Sequence, residues 1–192
     1  RAPSVAQLHR GLDELRRDPR VREGALRIRA DAEDPAVLAT LIWNLVTEPG
    51  DGVAGALVTA LGPEGALECA FGGDGGIGAL EADVRPAATA LREGRKRWSA
   101  RLDADFALAS LRGAVRTRTA LLLPQDPAWP PMLADLGDHA PLALWLRGDA
   151  RALSAAGLAI IGARASSSYG EHVAGEFAGE LAGEGRVVFS GG

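Results

Sequence analysis

The residues best suited to hold an anion lie in one stretch, Leu158-Ala-Ile-Ile-Gly-Ala-Arg-Ala-Ser-Ser-Ser-Tyr-Gly170. An apolar run enters a turn of glycine, arginine and three hydroxyls, and a helical pattern follows at once. A buried strand ending this way presents backbone N–H groups and a guanidinium at its C-terminal end. In an open α/β sheet that edge is where phosphate-bearing ligands sit. Gly162 lets a backbone approach closely, Arg164 offers a planar fork to a phosphate, and Ser167 adds a short donor. Tyr169 either stacks on a base or packs beneath the loop. Ser166 and Ser168 are expected to cap the helix start. A second loop comes after the apolar Val187-Val-Phe, in Ser190-Gly191-Gly192. A β-α-β unit would bring both loops to one crevice.

The loop lacks the Gly-Lys-Ser/Thr ending of a P-loop and does not fit Gly-x-Gly-x-x-Gly. Ser190 is not in a Gly-x-Ser-x-Gly elbow, and no catalytic dyad or triad is visible. His9, His139 and His172 have no metal-ligand spacing, and the single cysteine, Cys69, excludes an internal disulfide or a multi-cysteine zinc site. No catalytic residue, metal or cofactor is therefore expected.

The elements that must position these loops can be read from periodicity. Ser4 caps a helix with Val5, Leu8, Leu12 and Leu15 on one face. Asp34-Pro35 starts a second, with a broad apolar face from Val37 to Val46. Glu48-Pro-Gly-Asp-Gly52 breaks it, and shorter helices are expected over 53–61 and 64–71. Gly72 to Gly78 reads as a hinge. Pro86 opens another helical stretch, and Trp98, Leu102, Phe106 and Ala109 line one side of a longer helix. From Thr119 the pattern changes: strands at 119–123, 141–148 and 158–161, a helix from about 169 to 184, and a strand at 187. In the 169–184 helix, Val173, Phe177 and Leu181 with Ala174, Ala178 and Ala182 form the inward stripe. This implies an extension over 1–30, a helical domain over 31–118 and an α/β domain over 119–192.

Net charge is −4 over 192 residues, so bulk charge does not mark a nucleic-acid binder. Its distribution is uneven: residues 1–30 carry +4, 31–91 carry −9, 92–118 carry +5 and 119–192 carry −4. The cluster Arg92, Arg95, Lys96, Arg97 and Arg101 with Trp98 reads as a solvated helix face around a core tryptophan, and Pro49-Gly-Asp-Gly52 as an ordinary turn. No apolar run is long enough to span a bilayer and no signal peptide is apparent, so a cytoplasmic location without membrane contact is expected.

The loop Gly162-x-Arg-x-x-Ser-x-Tyr-Gly170 resembles that of the DNA-processing protein A family (DprA, also called Smf). Asp126-Pro-x-Trp-Pro-x-x-Leu133, Pro141-x-x-Leu-x-Leu-Arg-Gly-Asp149 and Val187-Val-Phe-Ser-Gly-Gly192 resemble further family stretches in the same order. The resemblance implies a doubly wound, Rossmann-like domain that binds single-stranded DNA. It also implies help in loading RecA recombinase during natural transformation, without catalysis. Carried over by position, Gly162, Arg164, Ser167, Tyr169 and Gly170 would form the DNA pocket, with Ser190, Gly191 and Gly192 opposite. The helical part matches more loosely and would be a small SAM-like or helix-hairpin-helix-like domain. The sequence ends inside the last motif, so the rest of the sheet and a homodimer surface are expected beyond it. Two other readings stand beside this one: a nucleotide-hydrolysing, phosphoribohydrolase-like enzyme, and a protein-interaction module working through its helices.

Overall fold

The computed structural model describes residues 4–72 and 88–191. Most of Gly72–Gly78, together with Pro86, lies outside the described residues. The chain divides into two compact units, 1–148 and 149–192.

In the first unit, α1 (Val5–Arg17) begins with a capping box: the Ser4 hydroxyl accepts from the Gln7 N–H while the Gln7 side chain accepts from the Ser4 N–H. Asp18 ends α1 and caps α2 (Pro19–Ile28), whose first residue is a proline. Asp34 and Pro35 start α3 (Pro35–Val46) in the same way, the Asp34 carboxylate accepting from the amides of Ala36 and Val37. α3 is apolar nearly all round, and Val37, Leu38, Leu41, Ile42, Trp43, Leu45 and Val46 are all buried. It is the central helix of the unit.

α4 (Gly52–Phe71) is two helical pieces meeting at Gly62, where φ is 71° and ψ is 167°, just before Pro63. The Pro63 carbonyl accepts from the Trp43 indole N–H at 3.0 Å, so the kink is tied to α3. The single helix expected around Trp98 to Ala109 is instead two, α5 (Ala88–Ser99) and α6 (Ala104–Arg116), because Asp103 caps a new start. The inward face of α6 is Ala107, Leu108, Leu111 and Ala114, while Phe106 and Ala109 are exposed. Trp98 packs edge-on to Trp43 with ring centroids 5.2 Å apart, and Phe71 closes the triangle.

β1 (Ala120–Leu122) pairs antiparallel with β2 (Leu144–Leu146), Leu121 opposite Trp145. Between them the proline-rich stretch makes a turn and a 3₁₀ helix over Pro131–His139. The inner side chains Leu121, Leu123 and Ala143 join the same core as the helices.

In the second unit, β3 (Gly157–Ala159) and β4 (Val187–Phe189) pair in parallel, joined by α7 (Ser168–Gly183). Both the strand order and the crossover helix follow the sequence reading. The burial does not: none of the described residues 149–191 is buried. Ile161 is 89% exposed, and Phe177, placed on the inward stripe, is 58% exposed. A two-stranded sheet with one helix covers only part of one face, so its apolar residues have nothing further to pack on. The described structure is mostly helical with two small sheets, within the α/β class.

Candidate nucleic-acid interface

Because β3 and β4 are parallel neighbours, the loops leaving them depart from one edge of the sheet. The Ile160 N–H donates to the Phe189 carbonyl at 2.8 Å, one residue before the first loop begins. Residues 161–169 are then all exposed, into the first turn of α7.

The sequence-derived residues sit as follows. Gly162 lies in open space, with nothing within 4 Å of where a Cβ would stand. Arg164 is exposed and makes no hydrogen bond or ion pair with any described residue. Ser167 is the N-cap of α7; its hydroxyl oxygen accepts from the Gly170 N–H at 3.2 Å, which leaves the O–H proton free to donate. Tyr169 is 77% exposed and has no ring partner among the described residues, so it does not pack beneath the loop. Gly170 is the third residue of α7. Ser190 and Gly191 are exposed at the end of β4, and Gly192 lies outside the described residues. The geometry thus places one unpaired cation, a free hydroxyl donor and an aromatic ring on a strand-to-helix loop, beside the positive end of a 16-residue helix.

The residue missed by sequence reading is Glu171. It lies in the first turn of α7, and its carboxylate accepts from the Ser166 hydroxyl at 3.0 Å. Ser166 is therefore tied to Glu171 rather than to a helix amide. A carboxylate here already answers part of the helix dipole and opposes a second anion. The spacing Ser166…Glu171 is visible in the sequence, but an acidic first-turn residue is so common that it carries no signal.

The turn at Pro49-Gly-Asp-Gly52 is occupied from within. Asp51, its side chain 6% exposed, caps α4 and accepts from the amides of Val53 and Ala54, the Trp98 indole N–H at 2.8 Å and Arg97 at 2.9 Å. Burial pushes its pKa up, but the indole, the Arg97 guanidinium and the Ala54 amide outweigh that and hold it below the usual carboxylate range. The Asp51 carboxylate fills the turn from within as a helix cap and as the joint to Trp98 and Arg97.

Three members of the cluster beside it, Arg95, Arg97 and Arg101, are also committed, while Arg92 and Lys96 are exposed as expected. Arg95 donates to the Cys69 and Ala70 carbonyls at the end of α4, and Arg101 pairs with Glu48 and reaches the Thr47 carbonyl. These side chains close helix ends rather than merely facing solvent. Among the described residues no group of three or more His, Cys, Asp or Glu could hold a metal ion, and no helix is long and apolar enough to cross a membrane.

These features define a mostly helical α/β protein with a polar, cation-bearing loop at the carboxyl end of a parallel strand pair. Residues 120–192 match the family described as DNA recombination-mediator protein A. Two curated relatives from Mycobacterium tuberculosis, strains CDC 1551 / Oshkosh and ATCC 25618 / H37Rv, are each named as a putative DNA processing protein DprA. Each is 31% identical over 171 residues, covering 83% of this chain. The chain belongs to the DNA-processing protein A family. It spans 40% of the length of those relatives. No solved structure matches it significantly.

Proposed function

We propose that this chain is the single-stranded-DNA-holding part of a recombination mediator that works by binding rather than catalysis. The observation that carries the reading is the loop at Gly162–Gly170, in which Arg164 has no partner among the described residues. In this scheme phosphates meet Arg164, the Ser167 hydroxyl and the amides at the start of α7, while Tyr169 stacks on a base. Ser190 and Gly191 border the same edge from β4, and Gly192, which lies outside the described residues, continues the same motif. The bases not stacked stay available to a recombinase of the RecA class.

Membership in the family supports three further parts of the proposal. Residues 119–192 open a Rossmann-like, doubly wound domain; the helices ahead of it are a SAM-like accessory domain; and the whole protein is a cytoplasmic homodimer. The start of the family match at residue 120 supports the first of these.

The test is fluorescence anisotropy of a labelled oligo-dT titrated with the wild-type chain and with Arg164→Ala, at low and moderate salt. The expected result is salt-sensitive binding weakened several-fold by the substitution. Its salt slope should be shallower by about 0.7, the value for one phosphate on a single strand. Equal affinity of the two proteins would remove Arg164 from the site.

A further inference from the structure

The two basic stretches of the sequence are separated by a segment of charge −9, yet the fold brings them together. α2 comes from the first stretch and α6 from the second, and these helices pack along each other more extensively than any other pair of described elements. Gly24 permits the close approach: a Cβ there would stand 3.1 Å from the Leu111 Cδ1. Between the helices runs a groove of about 430 Å³. Arg20, Glu23 and Arg27 line it from α2 and Arg112 and Arg116 from α6, with Val115 as exposed apolar surface and Leu108 at its floor.

The arginines are only half compensated. Arg20 is clamped by Asp18, and Arg27 pairs with Glu23 at 2.7 Å. Arg112 and Arg116 have no hydrogen bond or ion pair with any described residue. The groove is thus cationic in a chain of net charge −4. Arg27 and Arg116 each answer the carboxyl end of their own helix, but that needs no further cation at Arg112.

Arg118 adds an independent sign. α6 ends in a paired closure in which the Arg118 N–H donates to the Val115 carbonyl at 3.2 Å and the Thr119 N–H to the Ala114 carbonyl at 2.9 Å. This closure needs a left-handed residue and is ordinarily made by glycine. Here arginine holds it at φ 53°, the one non-glycine residue with positive φ among those described. Its exposed side chain, two residues beyond Arg116, has no partner among the described residues either. A strained position that keeps a long cation without using it internally points to an external anion.

We infer that the α2–α6 groove is a second DNA site, one that holds the phosphodiester backbone and does not read bases. Arg112 and Arg116 are separated by about 6 Å along the helix, close to the separation of neighbouring phosphates on one strand. Guanidinium forks meet phosphate oxygens, and the exposed Val115 meets a sugar face. No aromatic ring lines the groove, so it takes single strand and duplex alike, unlike the loop at Arg164. It would anchor DNA on the helical unit independently of that loop.

The test uses the full chain carrying Arg112→Ala, Arg116→Ala and Arg118→Gly together, titrated against labelled oligo-dT and a duplex of equal length across a salt series. The expected result is at least tenfold weaker binding of both probes, with a salt slope shallower by about 2. The melting temperature should not fall, because glycine relieves the positive φ at position 118. The conservative pair Arg112→Lys and Arg116→Lys should keep most of the affinity. Unchanged affinity and slope in a folded triple variant would overturn the inference, as would absence of wild-type binding to either probe at low salt.

Arg164→Ala measured in parallel separates the two sites. Loss on oligo-dT with Arg164→Ala but not with the triple variant leaves the loop and removes the groove. The reverse pattern keeps the groove and removes the loop. Unchanged DNA binding by the triple variant, with loss of binding to a poly-glutamate peptide, would assign the groove to an acidic protein segment and overturn the DNA assignment.

Discussion

Arg29 and Asp126, 97 residues apart, form a two-point ion pair, with Nη1 to Oδ2 at 2.5 Å and Nη2 to Oδ1 at 2.7 Å. Arg29 caps the end of α2 and also donates to the Leu121 carbonyl, while Asp126 accepts from the Leu123 N–H at 2.7 Å. The pair bolts the turn after β1 to the helices, with side chains only 15% and 18% exposed. Either Arg29→Ala or Asp126→Asn should therefore cost about 2 kcal/mol, because a largely buried charge loses its main partner, Arg29 keeping only Asp31 and the Leu121 carbonyl and Asp126 only the Leu123 amide. A denaturant melt of each variant against wild type checks this.

The same pair gives an acid dependence. The Arg29 guanidinium holds the Asp126 carboxyl below its ordinary value of 3.8, and Asp126 in turn pushes the Arg29 pKa further up. A carboxyl depressed on folding contributes stability that is complete above its unfolded pKa and is lost as pH falls through the folded one. Melting temperature should thus drop below about pH 4, and less steeply in Asp126→Asn. Parallel curves for the two proteins would show that the pair does not contribute.

Asp51 and Trp98 make a second checkable joint. Asp51→Ala removes the cap of α4 and strands the buried Trp98 indole N–H together with Arg97. The expected loss is about 2–3 kcal/mol. Trp98 lies in contact with Trp43 and Phe71, so the native-state tryptophan emission should change with it. A variant that melts and fluoresces like wild type would contradict this account of the turn.

At the proposed loop site, Glu171 works against a bound phosphate. Glu171→Gln should tighten oligo-dT binding by about two- to fivefold at low salt, an effect that fades as salt rises. The cost to α7 should be a few tenths of a kcal/mol. Weaker binding would mean that Glu171, through Ser166, positions the loop rather than repelling the ligand.

The second unit should exchange its amides far faster than the first. Residues 149–191 contain no buried side chain, while α3 alone buries eight of its residues. Local opening free energy follows buried contact. Hydrogen exchange on the intact chain should show β3 and β4 nearly unprotected and α3 slowest. Equal protection in both units would mean the sheet is covered in solution.

The helix starts were legible because their chemistry is local: Ser4 with Gln7, Asp34 with Pro35. The order β3–α7–β4 was legible because strand and helix periods differ. The break between α5 and α6 was not, since Trp98, Leu102 and Phe106 keep helical spacing straight across it. Only the choice of Asp103 as a cap, decided by packing, ends the register. Arg95, Arg97 and Arg101 read as a solvated face because the carbonyls and carboxylates they close lie 25 to 54 residues away. Leu158 and Ile161 read as buried on hydropathy alone, which cannot say whether a covering layer is present. At the loop, the residue types were legible, but the local pairing of Ser167 with Gly170 and of Ser166 with Glu171 was not.

The start of the family match does not fall on the boundary between the two packed units. The family match begins at residue 120, but Leu121, Leu123 and Ala143 are wall stones of the helical interior. An exchange of genetic segments at that point would tear an apolar face open on one product and orphan three side chains on the other. A break after Gly148, where φ is 111° and the first packed unit ends, would leave each body whole.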